Sequence, residues 1–462
     1  MTYQEAKTRL EEYGQGHILK FWDRLTTAQQ TGLLGQIEGL DFKAIDRIRG
    51  LLKTGGEAVA APGIMIPAPV VSPKTGDVKA ALSVGEKALK SGQVGVILVA
   101  GGQGTRLGYD GPKGTYRLAP ISQASLFEIH ARKILALERH YQTRIPFYIM
   151  TSEGNDAETR AFFEINRYFG LNADSVKFFV QGTLPAFLSD GRIILEAPGK
   201  LFSAPDGHGG ILQALDRRGM LADMKRRGLT TLYYFQVDNP LVDIADPVFV
   251  GWHLQRRADM SLKVCAKRDA NEGLGVTVIR DGRTSVVEYI ELTEEQKNAC
   301  GSDGELVFKF GSVAIHIFSL DFLVRETSAG LPLHQAHKKV PTCDETGATV
   351  KPDKANAYKF EKFIFDALPD ARESLILEFA REDEFAPVKN AEGNDSPATS
   401  RAAMTEKFVR WFEACGVKPP RDAKGRIAVL LEIDPVYAHD AATLASRLPK
   451  GYDIKGDVLL RD

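Results

Sequence analysis

The fold is decided by the stretch Val96-Ile97-Leu98-Val99-Ala100-Gly101-Gly102-Gln103-Gly104-Thr105-Arg106-Leu107-Gly108, which leads into Gly111-Pro112-Lys113-Gly114. An apolar run typical of a buried strand is followed at once by a glycine-rich turn. Glycine lacks the Cβ atom that would keep a ligand away from the backbone, so successive N–H groups can face an anion. With one Arg and one Lys beside it, the turn predicts a polyphosphate site at the end of a strand.

The common phosphate-binding motifs do not fit this turn. The dinucleotide fingerprint G-x-G-x-x-G, read from Gly102, requires a glycine where the chain has Leu107. The P-loop motif G-x-x-x-x-G-K-[ST] fails because Lys113 is preceded by Pro112 and followed by Gly114. The spacing therefore argues against a nicotinamide-dependent oxidoreductase on a similar sheet. An ordinary strand-to-helix turn is the simpler alternative.

Length and composition are those of a soluble globular protein. The chain has 462 residues, enough for about two to four domains. Hydrophobic residues make up 44% and charged residues 26%, which is ordinary for this class. The net charge of −1 gives no support for nucleic acid as a partner, since nucleic-acid-binding proteins usually carry a basic excess.

Cysteine usage and the N-terminal sequence predict a cytoplasmic protein. The four cysteines form no C-x-x-C pair, so neither a zinc site nor a disulfide framework is expected. The first residues are polar and lack the apolar core of a signal peptide. No apolar run reaches the length of about 18 residues that spans a membrane, so no membrane partner is expected.

The middle of the chain alternates between strand-like and helix-like segments. Strands are predicted at 94–100, 145–151, 175–181 and 230–237, and helices at 125–141, 155–169 and 211–218. Such alternation is typical of an α/β fold with a mainly parallel sheet and helices on both faces. Ligands of these folds bind beyond the carboxyl ends of the strands, where the Gly101–Gly104 turn and Asp238 lie.

The pattern predicts three regions along the chain. Residues 1–80 form a helical N-terminal segment and a linker, with the proline-rich linker at 60–69. Residues 81–375 form a catalytic nucleotide-binding α/β domain. Residues 376–462 form a small α/β C-terminal domain, with a helix at 403–415 and strands at 427–433 and 457–460.

Other polar positions are ambiguous when each is taken alone. The glycine-rich segment 205–210 reads as a ligand-binding loop or as a flexible turn. Asp238 follows an apolar run and reads as a metal ligand or as a helix cap. Lys359 and Lys389 lie in a late basic series and, judged singly, read as solvated surface charges.

Together these stretches resemble the UDP-sugar pyrophosphorylase family, and within it the UDP-N-acetylhexosamine pyrophosphorylases. The resemblance extends over nearly the whole chain and is carried by residues 17–22, 101–114, 205–210, 237–239, 286–289, 359–366, 381–390 and 396–401, and by Gln181. So many motifs in one order make a chance match very improbable.

The resemblance implies a fold and a reaction. The fold is a Rossmann-like nucleotidyltransferase fold, similar to glycosyltransferase-A, with a central mixed sheet flanked by helices. The reaction is Mg²⁺-dependent transfer of a uridylyl group, in which a sugar-1-phosphate oxygen attacks the α-phosphorus of UTP and pyrophosphate leaves. The expected acceptor is N-acetylglucosamine-1-phosphate and the expected product UDP-N-acetylglucosamine. A monomer or weak homo-oligomer is expected.

The resemblance also implies roles for individual residues. Catalytic cations would be Arg106, Lys113, Lys359 and Lys389. Nucleotide-binding residues would be Ala100, Gly101, Gly102, Gly104, Thr105, Gln181 and Gly207. Sugar-binding residues would be His208, Asn239, Glu288, Tyr289 and Ser312. Asp238 would be the ligand of Mg²⁺, and for Asp366 a surface role on a helix is favoured over a site role.

Two residues depart from the pattern of the family, and two alternatives to the expected function remain open. The acetylhexosamine enzymes commonly carry Asn where this chain has His208 and Ser312, so glucose-1-phosphate or a broader set of sugar phosphates is an alternative acceptor. An inactive homologue that only binds UDP-sugars is an alternative of another class. The presence of Arg106, Lys113 and Asp238 argues against it, because an inactive relative would be free to lose these charges.

Overall fold

The structure is a computed structural model that describes residues 1–53 and 64–462. In chain order, the α-helices are α1 (Tyr3–Glu12), α2 (Thr27–Glu38), α3 (Phe42–Lys53), α4 (Val78–Lys90), α5 (Leu126–Tyr141), α6 (Asp156–Ile165), α7 (Ile211–Arg217), α8 (Met220–Arg226), α9 (Pro247–Arg256), α10 (Glu294–Asn298), α11 (Leu320–Ala329), α12 (Arg381–Glu384), α13 (Pro397–Ala414) and α14 (Ala441–Arg447).

The strands are β1 (Met65–Pro67), β2 (Val94–Val99), β3 (Phe147–Thr151), β4 (Val176–Val180), β5 (Thr183–Pro185), β6 (Leu195–Ala197), β7 (Lys200–Leu201), β8 (Ser203–Pro205), β9 (Thr231–Gln236), β10 (Met260–Ala266), β11 (Val276–Arg280), β12 (Arg283–Val287), β13 (Phe310–Ser319), β14 (His334–Lys338), β15 (Thr342–Cys343), β16 (Thr349–Val350), β17 (Ala357–Glu361), β18 (Ser374–Glu378), β19 (Leu431–Ile433) and β20 (Val458–Leu460).

The chain divides into two compact units. Unit 1 consists of Met1–Ile64, Gly182–Ile211 and Leu331–Asp366. Unit 2 consists of Met65–Gln181, Leu212–Gly330 and Ala367–Asp462. Each unit is assembled from three separate segments, which a linear inspection of the sequence does not anticipate; the boundaries predicted at residues 80 and 375 stay a prediction.

Unit 2 contains a large mixed sheet. Within the part of the chain that the structure describes, the sheet has ten strands, and its main path runs β18–β10–β13–β9–β2–β3–β4. Parallel pairs join β2 to β3 and β9, β3 to β4, and β10 to β18. Strand β13 pairs antiparallel with both β9 and β10. Strands β1, β11 and β12 add further antiparallel pairs.

These pairings confirm the prediction of an α/β fold with a central mixed sheet and correct the expectation of a mainly parallel one. The antiparallel arrangement arises because β10 and β13 are connected through the hairpin β11–β12 instead of through a long crossover helix. Parallel neighbours need such a crossover. Strands β2, β3 and β9 are buried on both faces, as their continuous apolar sequences predict.

The strand directions bring several loops to one edge of the sheet. The main-path strands other than β13 run in a common direction, so their carboxyl ends share an edge. The glycine turn follows β2, Asp238 follows β9 and Gln181 follows β4. The segment with Lys389 comes after β18, and the reversed β13 begins at the same edge, near Ser312. This edge is where ligands of open α/β sheets bind.

Unit 1 contains the predicted N-terminal helices. Helices α1 to α3 bury apolar side chains such as Leu10, Leu33 and Ile45 in a cluster that also holds Phe187 and Phe360. Antiparallel pairs β5–β8 and β14–β17 belong to the same unit. The predicted linker at 60–69 is only partly visible, because 54–63 lie outside the described residues; Met65–Pro67 forms strand β1 of unit 2.

Several predicted boundaries shift for identifiable reasons. Helix α13 begins at Pro397, six residues before the predicted start at 403, because Ser396 caps it with a capping box and proline favours the first turn. Helix α6 ends at Ile165, since Tyr168 and Phe169 adopt positive φ. The strand predicted at 427–433 is formed only at Leu431–Ile433 and pairs in parallel with β20.

Among the helices described, none combines the length and apolar character needed to cross a membrane.

Candidate active site

The glycine turn after β2 folds back on itself. The N–H of Gly104 donates to the carbonyl oxygen of Gly111 at 2.9 Å, and the N–H of Lys113 donates to that of Gly102 at 3.1 Å. A Cβ atom on Gly104 would lie 2.6 Å from Cδ1 of Tyr109, so the tight fold requires glycine there. The turn therefore places Lys113 beside Gly102.

Two side chains from the segment between β3 and α6 hold the carbonyl groups of this turn. Asn155 Nδ2 donates to the carbonyl oxygens of Ala100 at 2.9 Å and Gly102 at 3.4 Å. Ser152 Oγ donates to that of Gly101 at 2.8 Å. Asn155 is the N-cap residue of α6, yet its side chain accepts no bond from the helix. Its Oδ1 accepts instead from the N–H of Ser152 at 2.8 Å.

This anchoring exposes the amides of the turn. In a trans peptide the C=O of one residue and the N–H of the next point in opposite directions. Because the carbonyls of Ala100 and Gly101 are directed at Asn155 and Ser152, the N–H groups of Gly101 and Gly102 point away from those two side chains. Within the described residues no acceptor bonds either N–H. The N–H of Gly104 donates to the carbonyl oxygen of Gly111 and is therefore not available to a ligand. This corrects the expectation that the amides of all three glycines face the nucleotide.

The other predicted residues of the glycine turn are Ala100, Thr105 and Arg106. Ala100 is buried and continues the sheet by donating its N–H to the carbonyl oxygen of Met150 at 2.8 Å. Thr105 and Arg106 lie on an exposed 3₁₀ turn, Thr105–Leu107. No ion pair or hydrogen bond of the Arg106 side chain occurs within residues 1–53 and 64–462, so its charge is available to a ligand.

Lys113 and Asp238 meet at the edge of the sheet. Lys113 Nζ lies 3.5 Å from Asp238 Oδ2, and the two side chains are 17% and 13% exposed. Asp238 caps none of the described helices: the next helix, α9, is capped by Asp246, whose side chain accepts from the N–H of Val248. The interpretation of Asp238 as a helix cap is therefore excluded, and its interpretation as a metal ligand stays a prediction.

Gln181 lies against the glycine turn. It follows β4, is 8% exposed, and donates its N–H to the carbonyl oxygen of Thr151 at 2.9 Å. Its side-chain amide atoms lie 3.0 Å from the point where a Cβ of Gly101 would stand. Two predicted nucleotide-binding residues are therefore in contact, and a side chain at position 101 would displace the amide of Gln181.

Two side chains of α5 hold the carboxylate loop, residues 237–243, through hydrogen bonds to its carbonyl oxygens. His130 Nε2 donates to the carbonyl oxygen of Val237 at 3.0 Å. Lys133 Nζ donates to those of Pro240 at 2.6 Å and Val242 at 2.7 Å. Burial, reinforced by the nearby charge of Lys407, lowers the pKa of Lys133 to about 7. Sequence reasoning missed both side chains, which appear only as two polar positions, three residues apart, on a buried helix face.

Lys389 lies on the lysine loop, residues 385–390, beside the carboxylate loop. The N–H of Val388 donates to the carbonyl oxygen of Asp238 at 2.8 Å. The N–H groups of Lys389 and Asn390 both bond to the carbonyl oxygen of Asp395, at 2.7 and 3.1 Å. Lys389 also lines a cavity of about 370 Å³ that includes the polar side chains of Arg268, Asn271, Glu272, Asn394 and Asp395.

Three residues predicted to bind the sugar gather around the segment 273–275. The ring of Tyr289 lies 3.5 Å from the Cβ position of Gly273, and Glu288 Oε1 lies 3.5 Å from that of Gly275. The N–H of Ser312 donates to the carbonyl oxygen of Gly275 at 2.8 Å. Gly273 also lines the cavity of Lys389, so the segment that these three residues contact begins at the wall of that cavity.

Asn239 is expected to bind the sugar, but its side chain is buried and bonded to the backbone. It is 4% exposed, and its Nδ2 donates to the carbonyl oxygen of Glu384 at 2.7 Å. Its Oδ1 accepts from the N–H groups of Leu241 and Ala386 at 3.3 and 3.2 Å. The side chain is thus engaged by the backbone, which corrects the expectation of a free amide for the sugar.

Three predicted site residues, Gly207, His208 and Lys359, lie in unit 1. A Cβ on Gly207, whose φ is +83°, would lie 2.4 Å from the carbonyl oxygen of Lys362. Lys359 lies on β17 and pairs with Ala336 of β14. Their roles stay predictions.

His208 is a packed, neutral histidine. Its Nδ1 accepts from the N–H of Ile364 at 3.1 Å, and its ring stacks on Phe363 at 5.4 Å between centroids. Burial, assisted by the charge of His334, lowers the pKa of His208 to about 4. In the same unit Asp366 lies on a 3₁₀ helix, Ile364–Asp370, and accepts from His334 Nε2 at 2.8 Å; the preference for a surface role over a site role stays a prediction.

Comparisons with known proteins show the family of this chain. Residues 52–405 match the family described as UTP–glucose-1-phosphate uridylyltransferase. UDP-N-acetylglucosamine diphosphorylase 2 of Arabidopsis thaliana is 39% identical over 90% of this chain and 86% of its own length. UDP-N-acetylglucosamine pyrophosphorylase of Saccharomyces cerevisiae is 34% identical over 98% of this chain and 99% of its own length.

A solved structure is similar over the same extent. The uridine diphosphate N-acetylglucosamine pyrophosphorylase of Trypanosoma brucei, in complex with an inhibitor, has a TM-score of 0.85 and 27% identity. The match covers 99% of this chain and 98% of that one. The family resemblance predicted from the motifs is confirmed, and the chain belongs to the UTP–glucose-1-phosphate uridylyltransferase family.

Proposed function

We propose that this chain is a uridylyltransferase that forms UDP-N-acetylglucosamine and pyrophosphate from UTP and N-acetylglucosamine-1-phosphate. The observation that carries the proposal is the meeting of Lys113 and Asp238, 3.5 Å apart, beside a turn in which the N–H groups of Gly101 and Gly102 point away from the side chains that hold it. The relatives named for this reaction match nearly the whole chain.

The residues suit nucleotidyl transfer because the reaction needs little covalent help. An oxygen of the sugar phosphate forms a bond to the α-phosphorus of UTP while the bond from that phosphorus to the pyrophosphate oxygen breaks. The protein must align the two reactants and neutralise charge on the phosphoryl oxygens. Amides of Gly101 and Gly102, the Lys113 ammonium and the exposed Arg106 guanidinium serve the triphosphate, and Lys389 serves the sugar phosphate.

The carboxylate of Asp238 fits Mg²⁺. Mg²⁺ is commonly held by one or two carboxylates together with substrate phosphates and water. Nowhere in the described residues do three His, Cys, Asp or Glu side chains form a metal site, so phosphate oxygens would complete the coordination. When bound, the ion supplies positive charge to the phosphoryl oxygens. Asp238 holds it and Lys113 balances the carboxylate in its absence.

The polar region beside Lys389 supports a neutral sugar. Among its charged side chains, Arg268 pairs with Glu272 at 3.1 Å and with Asp395 at 3.4 Å, so no excess positive charge favours an acidic sugar. The hydroxyl of Ser312 offers fewer hydrogen bonds than the amide that relatives commonly carry. Glucose-1-phosphate is therefore the second candidate acceptor.

Further features of the proposal concern the whole chain. We assign the finer fold to the Rossmann-like nucleotidyltransferases, similar to glycosyltransferase-A, because one antiparallel strand, β13, is inserted into otherwise parallel neighbours. A catalytic domain at 81–375 and a small C-terminal domain at 376–462, a cytoplasmic location and a monomeric or weakly associated state belong to the same proposal.

Release of pyrophosphate tests the proposal directly. The purified chain is given UTP, Mg²⁺ and either N-acetylglucosamine-1-phosphate or glucose-1-phosphate, in parallel. Turnover with the first is expected, with a higher kcat/KM than with the second. Turnover with glucose-1-phosphate alone would overturn the acetylhexosamine assignment. Binding of UDP-sugars without any turnover would establish the inactive homologue instead.

A further inference from the structure

Three hydrogen bonds join the carboxylate loop to the lysine loop and to Glu384, the residue that precedes it. Asn239 Nδ2 donates to the carbonyl oxygen of Glu384, and Asn239 Oδ1 accepts from the N–H of Ala386. The N–H of Val388 donates to the carbonyl oxygen of Asp238. A shift of one loop relative to the other would break these bonds.

The side chain of Glu384 adds a charged connection to a third element. Its Oε1 pairs with Nζ of Lys263 on β10, and its Oε2 accepts from the N–H of Asp243 at 3.3 Å. Lys263 also pairs with Asp246 at 2.7 Å. Lys263 is 1% exposed and Glu384 is 6% exposed. Glu384 therefore connects both loops to strand β10 of the sheet.

Stability alone does not explain why Glu384 and Lys263 are buried as a charged pair. Burial raises the pKa of Glu384 to about 7, and the charge of Lys263 opposes the shift. Apolar side chains of similar volume often stabilise a protein as well as a buried ion pair does. An ion pair is directional, unlike apolar packing: each carboxylate oxygen of Glu384 has a defined partner.

We propose that Glu384, held by Lys263, is a positioning residue that sets the location of Lys389 relative to Asp238. This inference rests on the proposed function, in which Asp238 serves the triphosphate and Lys389 the sugar phosphate. A displacement of about 1 Å between reacting groups can cost on the order of 10²-fold in rate. Asn155 and Ser152 hold the glycine turn independently, and His130 and Lys133 hold the carboxylate loop independently, so UTP binding is expected to change little.

Steady-state kinetics of Glu384→Gln, Lys263→Met and the double variant test the proposal. Each single variant is expected to raise the KM for the sugar-1-phosphate roughly tenfold and to leave the KM for UTP within about twofold. The rise in the double variant is expected to be smaller than the product of the two single rises, because both changes remove the same interaction.

Glu138→Gln is the matched control. Glu138 is 4% exposed, accepts from the N–H of Ile145 at 2.9 Å and pairs with Arg144 at 3.1 Å. It thus also combines a backbone bond with a cation, but it lies near the amino end of β3, at the other edge of the sheet. Both KM values are expected to match those of the unaltered chain.

A second variant covers the case in which Glu384→Gln does not fold. Asn239→Ser removes the bonds to Glu384 and Ala386 and leaves the buried charges in place, and the same selective rise in sugar-1-phosphate KM is expected. Equal rises in both KM values, or no rise in either, would overturn the inference while leaving the proposed function intact. Absence of turnover by the unaltered chain with every sugar phosphate would overturn the proposed function, and this inference with it.

Discussion

Lys113 Nζ lies 3.5 Å from Oδ2 of Asp238, and these two oppositely charged side chains come from loops that follow neighbouring parallel strands, β2 and β9. Each would bind a different partner in the proposed reaction, Lys113 a phosphate oxygen and Asp238 a Mg²⁺ ion. Their pairing keeps both charges compensated before substrate arrives, which lowers the cost of holding them at a partly buried site.

Replacing Lys113 by Ala is expected to remove most turnover while UDP-sugar binding persists. The ammonium stabilises charge that develops in the transition state, and the loss of one such donor costs on the order of 10²–10³ in kcat. Parallel kcat measurements and calorimetric titration with UDP-N-acetylglucosamine check this. Lys79→Ala, at an exposed lysine, is the control. Normal kcat in Lys113→Ala would contradict the assigned role.

Asn155→Ala is expected to weaken UTP binding by about tenfold. The change removes the hydrogen bonds to the carbonyl oxygens of Ala100 and Gly102, and net losses of about 1–2 kcal/mol accompany such bonds. The UTP dissociation constant is measured by calorimetry. Asn166→Ala is the control, since it removes one exposed side-chain bond, to Phe162, at the far end of α6. Equal affinities in both variants would show that the anchoring does not orient the amides.

Ser312→Asn is expected to increase preference for the acetylated sugar. An amide at this position can both donate and accept, and it restores the residue common in the acetylhexosamine enzymes. Contacts with a small substituent change discrimination by roughly 1–3 kcal/mol. The ratio of kcat/KM for N-acetylglucosamine-1-phosphate to that for glucose-1-phosphate should therefore rise about tenfold or more. An unchanged ratio would place the acetyl group away from Ser312.

Acid pH is expected to destabilise unit 2 through His253. Burial lowers the pKa of this side chain to about 4 from its ordinary value of 6.5, so the unfolded chain takes up a proton first as pH falls. The contribution is fully present above pH 6.5 and is lost between pH 6.5 and 4, at about 1.4 kcal/mol per pH unit.

The pH dependence of the melting temperature checks the effect of His253. His253→Asn preserves a polar partner for Ser261 Oγ, which lies 2.7 Å from Nδ1 of the histidine, but it cannot take up the proton. Its melting temperature should fall less steeply between pH 6.5 and 4. Curves of equal slope for the variant and the unaltered chain would contradict the account.

Local sequence signals located the elements that carry the site but not the contacts that organise them. The apolar runs ending at Val99 and Gln236 are strands because their residues pack on both faces, a property of the run itself. That both runs end at one edge follows from alternation with helices. Lys113 and Asp238 could therefore be placed together from the chain alone.

Contacts between distant segments could not be predicted in this way. Asn155 resembles an ordinary helix cap in the sequence, and only the folded chain shows that its side chain bonds the glycine turn. Asn239 sits in a motif beside Asp238, yet it faces the lysine loop. The reversed direction of β13 depends on which strands it pairs with, and a pattern of apolar residues does not encode that.

A crystal structure of the chain with UTP and Mn²⁺ in place of Mg²⁺ tests the central claim most directly. The account predicts anomalous density for the metal at about 2.0–2.4 Å from a carboxylate oxygen of Asp238. It also predicts triphosphate oxygens within hydrogen-bond distance of Lys113 Nζ and of the N–H groups of Gly101 and Gly102. A triphosphate bound away from the glycine turn, or a metal without Asp238 among its ligands, would contradict it.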